Sequence, residues 1–229
     1  MKRIILFSSL LLGIAGLNGW YYTTQYESRI PVVIMDSGIN PKLLSNPKAM
    51  CKTGHMGEKP FVDPIMHGTN VANAVLKHMN ADKYCIISAT VTEGRFISRT
   101  VVKKILDELI DRNDTILINM SFGGMAWSPS YWERVNVLLD QGTHFTVASG
   151  NSRVRLTKEI CNYYPACTRL WVNKPEYFHV VGSYTRSPFS KKVYSNYGRD
   201  VVSEWENGNI GPHSGTSFAV GVWAGKLLR

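Results

Sequence analysis

Five stretches of this chain are short apolar runs rich in β-branched residues: residues 29–38 (RIPVVIMDSG), 83–91 (KYCIISATV), 114–124 (DTILINMSFGG), 144–151 (HFTVASGN) and 176–184 (EYFHVVGSY). Runs that do not alternate with polar residues are predicted to be strands covered on both faces. Between them the spacing changes to that of helices with one apolar side. Val71, Ala74 and Val75 follow His67 in this way, and Val101, Val102, Ile105, Leu106, Leu109 and Ile110 repeat it within residues 100–112. A third helix is predicted over residues 128–142 (SPSYWERVNVLLDQG), where Ser130 and Glu133 have the form of a capping box and Gly142 that of a stop. A fourth opens at Ser217. Strand and helix alternate with no repeat or linker, so the expected fold is α/β, one domain, with a mostly parallel sheet and helices on both faces.

In such a sheet, ligand sites form beyond the carboxyl ends of the strands. Asp36 follows PVVIM, Ser121 follows ILINM, and Ser149, Gly150 and Asn151 follow FTVA. Polar and glycine residues therefore gather at one rim.

Composition supports a globular domain and bears on its compartment. With 229 residues, 44% hydrophobic and 19% charged, the chain can bury a substantial core, which excludes extensive disorder. Lys2 and Arg3 precede an apolar run from Ile4 to about Leu17, the basic and hydrophobic regions of an export signal. No small-residue cleavage pattern follows, and extended through Tyr22 the run reaches the lower range for a bilayer span. Residues 1–22 thus read as a signal peptide or an N-terminal membrane anchor, and residues 23–229 as the domain. The expectation is an exported protein, secreted or periplasmic, touching a membrane only through that anchor.

Export makes Cys51, Cys85, Cys161 and Cys167 candidates for two disulfides, with three possible connectivities. Cys161 and Cys167 are near enough to close a small loop, which would leave Cys51 with Cys85. No C-x-x-C pair is present, so zinc and redox sites have little support. The formal charge is +9, or +7 without Lys2 and Arg3, but the basic residues are scattered. A solvated surface explains them, and no nucleic-acid partner is expected.

Three residues carry the candidate chemistry. Asp36 ends a buried strand, where a carboxylate needs a partner to offset its desolvation. His67 stands at the first turn of an amphipathic helix, and Ser217 opens another, whose N-terminal amides support negative charge. Together they could act as an orienting acid, a general base and a nucleophile in acyl transfer. Asn151 would supply a side-chain amide to the oxyanion, with the Ser217 amide as second donor.

These segments resemble the motifs of the subtilisin-like serine proteases. VVIMDSGIN is similar to the family's Asp motif, HGTNVANAV to its His motif, ILINMSFGG to its substrate-binding strand, VASGNS to its oxyanion Asn motif and GTSFAVGVWAG to its Ser motif. They follow one another in the family's order from about Pro31 to Gly225. The resemblance implies a subtilisin-like three-layer fold and a serine endopeptidase without cofactor, with a polypeptide as substrate. It implies that Ser121, Phe122, Gly123 and Gly124 bind substrate backbone as an added strand. Together with Ala148, Ser149 and Gly150 they would wall the pocket for the residue preceding the scissile bond, and walls this apolar predict a large hydrophobic residue there.

The chain also departs from the family pattern. Asn70 and Asn73 stand where His and Gly are usual, and Val220-Gly221 where Ala-Pro is usual. The stretch after His67 runs directly into the next strand, leaving no room for a calcium loop, so no metal is expected there. No pro-segment fits between Gly19 and Asp36, and the chain ends twelve residues after Ser217. The expectation is a minimal form of the fold, or one completed by a partner or a membrane. Three rival readings follow: a pseudo-protease that binds peptides as a strand without cutting them, an α/β-hydrolase esterase, and a peptidase with one restricted substrate rather than a degradative role. The second is disfavoured because Ser217 lacks the G-x-S-x-G elbow.

Overall fold

The structure is a computed structural model that describes residues 28–57, 61–93, 96–124, 128–184, 186–187, 190–193, 196–198, 200–210 and 213–229. The expected leader lies outside the described residues. Seven strands form the central sheet: β1 (Ile30–Asp36), β2 (Met50–Met56), β3 (Tyr84–Thr90), β4 (Leu117–Met120), β5 (His144–Ala148), β6 (Phe178–Ser183) and β7 (Glu204–Glu206). Their order is β7-β6-β5-β4-β1-β3-β2 and every neighbouring pair is parallel.

The five apolar runs become the five inner strands, and the side-chain period of two explains why they carry no alternation. Val33 and Met35 of β1 face a core shared with Val102, Ile105, Leu106 and Leu109 of α2 (Arg99–Arg112) and Tyr131, Val135 and Leu138 of α3 (Pro129–Asp140). Val32 and Ile34 face the other way, onto Val71 and Val75 of α1 (His67–Leu76) and Phe218, Ala224 and Leu228, contributed by α4 (Thr216–Leu227) and the residue after it. Both sheet faces are thus covered, which gives three layers.

Three local expectations change. β2 and β7 escape the sequence pattern because they are the sheet edges: β2 exposes Lys52 and Thr53 and shifts register against β3 between Met50 and His55, and β7 is only Glu-Trp-Glu. The capping box does not form, since α3 begins at Pro129 with Ser128 as its cap and Ser130 inside the first turn. Proline has no N–H to leave unsatisfied at the first helical position, so it fixes the start there. The stop holds: Gly142 has φ +89°, and Thr143 N–H bonds the Leu138 carbonyl at 3.0 Å.

Asn73 is accommodated by pointing off the helix pair. Its Oδ1 accepts from Ser45 N at 2.7 Å and its Nδ2 donates to the Leu43 carbonyl at 3.2 Å, tying the 43–45 turn to α1. The close approach of α1 and α4 is made instead at Gly221, where a Cβ would stand 2.9 Å from the Ala74 Cβ.

Candidate active site

Asp36, Ser121 and Asn151 all lie at or just past the carboxyl ends of parallel strands, and the N-termini of α1 and α4 converge on the same rim. Asp36 is 4% exposed, and its Oδ1 accepts from Ser37 N at 2.7 Å and from His67 Nδ1 at 2.7 Å. A carboxylate only accepts, so Nδ1 carries the proton and Nε2 presents a lone pair. Burial lowers the pKa of His67, but the charge and hydrogen bond of Asp36 and the charge of Asp63 outweigh it, and the imidazole lies above its ordinary value.

How α1 starts explains why His67 sits there. The cap position is Met66, in a left-handed conformation at φ +60°, and it provides no side-chain cap. The exposed amides are satisfied from outside the helix. Gly68 N–H donates to Ser37 Oγ at 3.0 Å, and Ser37 Oγ donates to Asp63 Oδ1 at 2.8 Å. Thr69 gives both its N–H (2.8 Å) and its hydroxyl (2.6 Å) to Asp63 Oδ2. Ser37 follows Asp36 directly, so this relay joins the strand that carries the acid to the helix that carries the imidazole. Gly68 is required by the same closeness, because a Cβ there would overlap the Gly38 carbonyl oxygen.

Ser217 lies in the first turn of α4. Its hydroxyl donates to the Ser121 carbonyl at 3.0 Å, and Ser121 Oγ donates back to the Ser217 carbonyl at 3.1 Å. Ser121 is held in turn by Asn119 Nδ2 at 2.9 Å, whose Oδ1 accepts from Thr146 at 3.0 Å. The His67 ring packs on Phe218, next to Ser217, with centroids 5.7 Å apart. In this structure the Ser217 hydroxyl is directed to Ser121, and rotation about its Cα–Cβ bond is needed to turn it elsewhere. His213 also contacts Phe218, at 5.7 Å, but from an exposed strand. It is His67 that Asp36 orients.

Asn151 Oδ1 accepts from the N–H (3.0 Å) and hydroxyl (3.1 Å) of Thr216, and that hydroxyl also accepts from Gly150 N at 3.2 Å. The carbonyl end of the amide is therefore fixed against α4. Residues 121–124 and 148–151 flank Ser217 on its two sides. The opening expected between them for a large apolar side chain is not open: the ring of Tyr163 lies against both Gly123 and Gly150. Burial pushes its phenol above the ordinary pKa. The structure joins Cys51 to Cys85 and Cys161 to Cys167. Among the described residues no group of three His, Cys, Asp or Glu side chains is placed to hold a metal ion.

Sequence reasoning did not single out Ser37, Asp63, Asn119, Tyr163 or Thr216 as parts of the site. Asn119 had a signal, since an amide inside a buried apolar run must find partners. Asp63, four places before His67, had none beyond its nearness.

Known proteins resemble this chain in sequence and in fold. The sequence profile of the subtilase family (peptidase S8) matches residues 28–228. Alkaline protease 1 of Aspergillus clavatus is 26% identical over 219 residues, covering 87% of this chain and 51% of its own length, so the chain spans about half of that relative. Among solved structures, a lanthipeptide protease superposes with a TM-score of 0.68 at 18% identity, covering 86% of this chain and 71% of its own. A cold-adapted subtilisin-like serine proteinase gives 0.63 at 22% identity, covering 89% and 76%. The prenylagaramide maturation protease gives 0.57 at 17%, covering 87% and 74%. At these identities the structural likenesses speak to the fold, while the profile spans nearly all of the described chain, and by it this chain belongs to the subtilase family of serine peptidases.

Proposed function

We propose that this chain is a serine endopeptidase in which Ser217 attacks the peptide carbonyl, His67 takes and returns the proton, and Asp36 orients the imidazole. The observation that carries the reading is the 2.7 Å bond from His67 Nδ1 to a buried Asp36 carboxylate, which leaves Nε2 as the base, on a ring that packs against Phe218, the residue after Ser217. On substrate binding the Ser217 hydroxyl turns from the Ser121 carbonyl to Nε2. Attack then gives a tetrahedral oxyanion, to which Asn151 Nδ2 and the Ser217 amide donate. Collapse expels the amine, which takes its proton from His67, and water repeats the sequence on the acyl-enzyme. Within residues 121–124 the exposed Gly123 supports strand-wise pairing with the substrate, Ser121 being buried and Gly124 already paired with Tyr164. No step needs a cofactor.

The two disulfides and the basic, apolar N-terminus support export into an oxidising compartment. The test of the reaction is labelling with a fluorophosphonate probe. The protein should label, Ser217→Ala should not, and Asn151→Ala should lose about 10²–10³ in turnover, the loss known for this donor in subtilisin. A folded chain that fails to label would leave peptide binding without cleavage as the better reading.

A further inference from the structure

We propose that Tyr163 sets the specificity of this site by filling the pocket for the residue that precedes the scissile bond, so that only glycine or alanine is accepted there. The inference rests on the endopeptidase reading and narrows its substrate class.

The argument starts with where that side chain must go. Ser217 is bonded to Ser121 on one side, while its neighbour Thr216 is bonded to Gly150 and Asn151 on the other. A peptide carbonyl placed over the Ser217 hydroxyl therefore has its acyl-side residue between segments 121–124 and 148–151. These segments continue β4 and β5, which pair in register as far as Met120 with Val147. Beyond that point they part. Ser149 N turns to the Val181 carbonyl of β6 at 3.1 Å, and the Gly150 carbonyl accepts from Asn196 N at 2.8 Å. This opens a gap between the two flanking segments.

Tyr163 occupies that gap. A Cβ at Gly150 would stand 2.6 Å from two carbons of its ring, and one at Gly123 would overlap the ring and its hydroxyl. The ring thus touches backbone on both walls, and the glycines are what allow it to fit. A second ring or a branched side chain cannot share the space, whereas a hydrogen or a methyl group can stand at its mouth.

The plug is fixed from both ends. Tyr164 exchanges two backbone hydrogen bonds with Gly124, each 2.8 Å, and its ring stacks on Trp132 at 6.0 Å. The Tyr163 carbonyl accepts from Cys167 N at 2.9 Å, its N–H reaches Cys167 Sγ at 3.3 Å, and the Cys161–Cys167 disulfide closes the loop around it. Yielding the pocket would need the half-buried ring to leave its place between Gly123 and Gly150 while the backbone stayed where it is.

The test uses peptides that differ only in the residue before the scissile bond, Gly, Ala, Leu or Phe. The protein should cleave after Gly and Ala at least about 100-fold better in kcat/KM than after Leu and Phe, the scale of discrimination a pocket gives by excluding bulk. Tyr163→Ala should raise cleavage after Leu and Phe by a similar factor. Cleavage after Phe or Leu as readily as after Ala by the unmodified protein would overturn the proposal, and this comparison does not depend on how the variant folds. A second arm needs no chemistry: equilibrium binding of peptides ending in the same four residues to Ser217→Ala should follow the same order, and equal affinities would overturn the proposal. Fluorophosphonate labelling reads the reaction separately, so its absence would sink the endopeptidase reading while the binding order still decides the pocket.

Discussion

Asp63 offers the sharpest test of how the acid and the base are held together, because it touches neither. Its carboxylate is 7% exposed and takes three hydrogen bonds, from Ser37 Oγ, Thr69 N and Thr69 Oγ1. A hydrogen bond to a charged group contributes about 1.5–3 kcal/mol when its removal strands the partner. The two Thr69 donors share one oxygen, and the Thr69 hydroxyl also accepts from Asn40 N. Counting about two independent interactions, Asp63→Ala should cost roughly 3–6 kcal/mol, a large fraction of the roughly 5–15 kcal/mol that holds a domain folded. Asp63→Asn keeps the shape and one acceptor and should cost less. It removes a negative charge that raises the His67 pKa. The base works only when deprotonated, so the acid limb of the pH–rate profile should move to lower pH in Asp63→Asn. Denaturant unfolding and the pH dependence of kcat/KM check the two halves. An Asp63→Ala variant within about 1 kcal/mol of the parent would refute the capping argument, and an acid limb that stays put or rises would refute the electrostatic one.

Three further outcomes follow from other contacts. Gly68→Ala drives a methyl group into the Gly38 carbonyl and should displace α1 from β1; fluorophosphonate labelling should fall more than tenfold, and a variant that labels normally would show that the approach is less tight than the structure has it. Thr216→Val removes the hydroxyl that bonds Asn151 while keeping the backbone bond, so turnover should drop with little change in KM, as expected for a group that acts on the oxyanion. Replacing Cys51 and Cys85 by serine should lower unfolding stability by about 2–4 kcal/mol, measured by denaturant titration, while leaving the rim chemistry intact, because that bridge joins β2 to β3 at the sheet edge.

The inner strands and the four helices were legible in the sequence because burial on one or both sides leaves a period that depends only on neighbours in the chain. The same local logic placed Asp36, Ser121 and Asn151 at strand ends and His67 and Ser217 at helix starts. The edge strands β2 and β7 were not legible, since a strand paired on one side needs no apolar run. The capping box failed where Pro129 set the helix start two residues earlier than Ser130 and Glu133 suggested.

What the tertiary structure alone decided is which distant groups meet. Ser37 reaches Asp63 across 26 positions and Ser121 reaches Ser217 across 96, and no periodicity encodes either pairing. The pocket shows the difference best. From the sequence, glycines and apolar neighbours at 121–124 and 148–150 describe roomy walls. Packing brings Tyr163, from a loop closed by Cys161 and Cys167, between Gly123 and Gly150. A glycine in the sequence records only that a side chain is missing, and the fold determines whether substrate or the protein's own tyrosine takes the space.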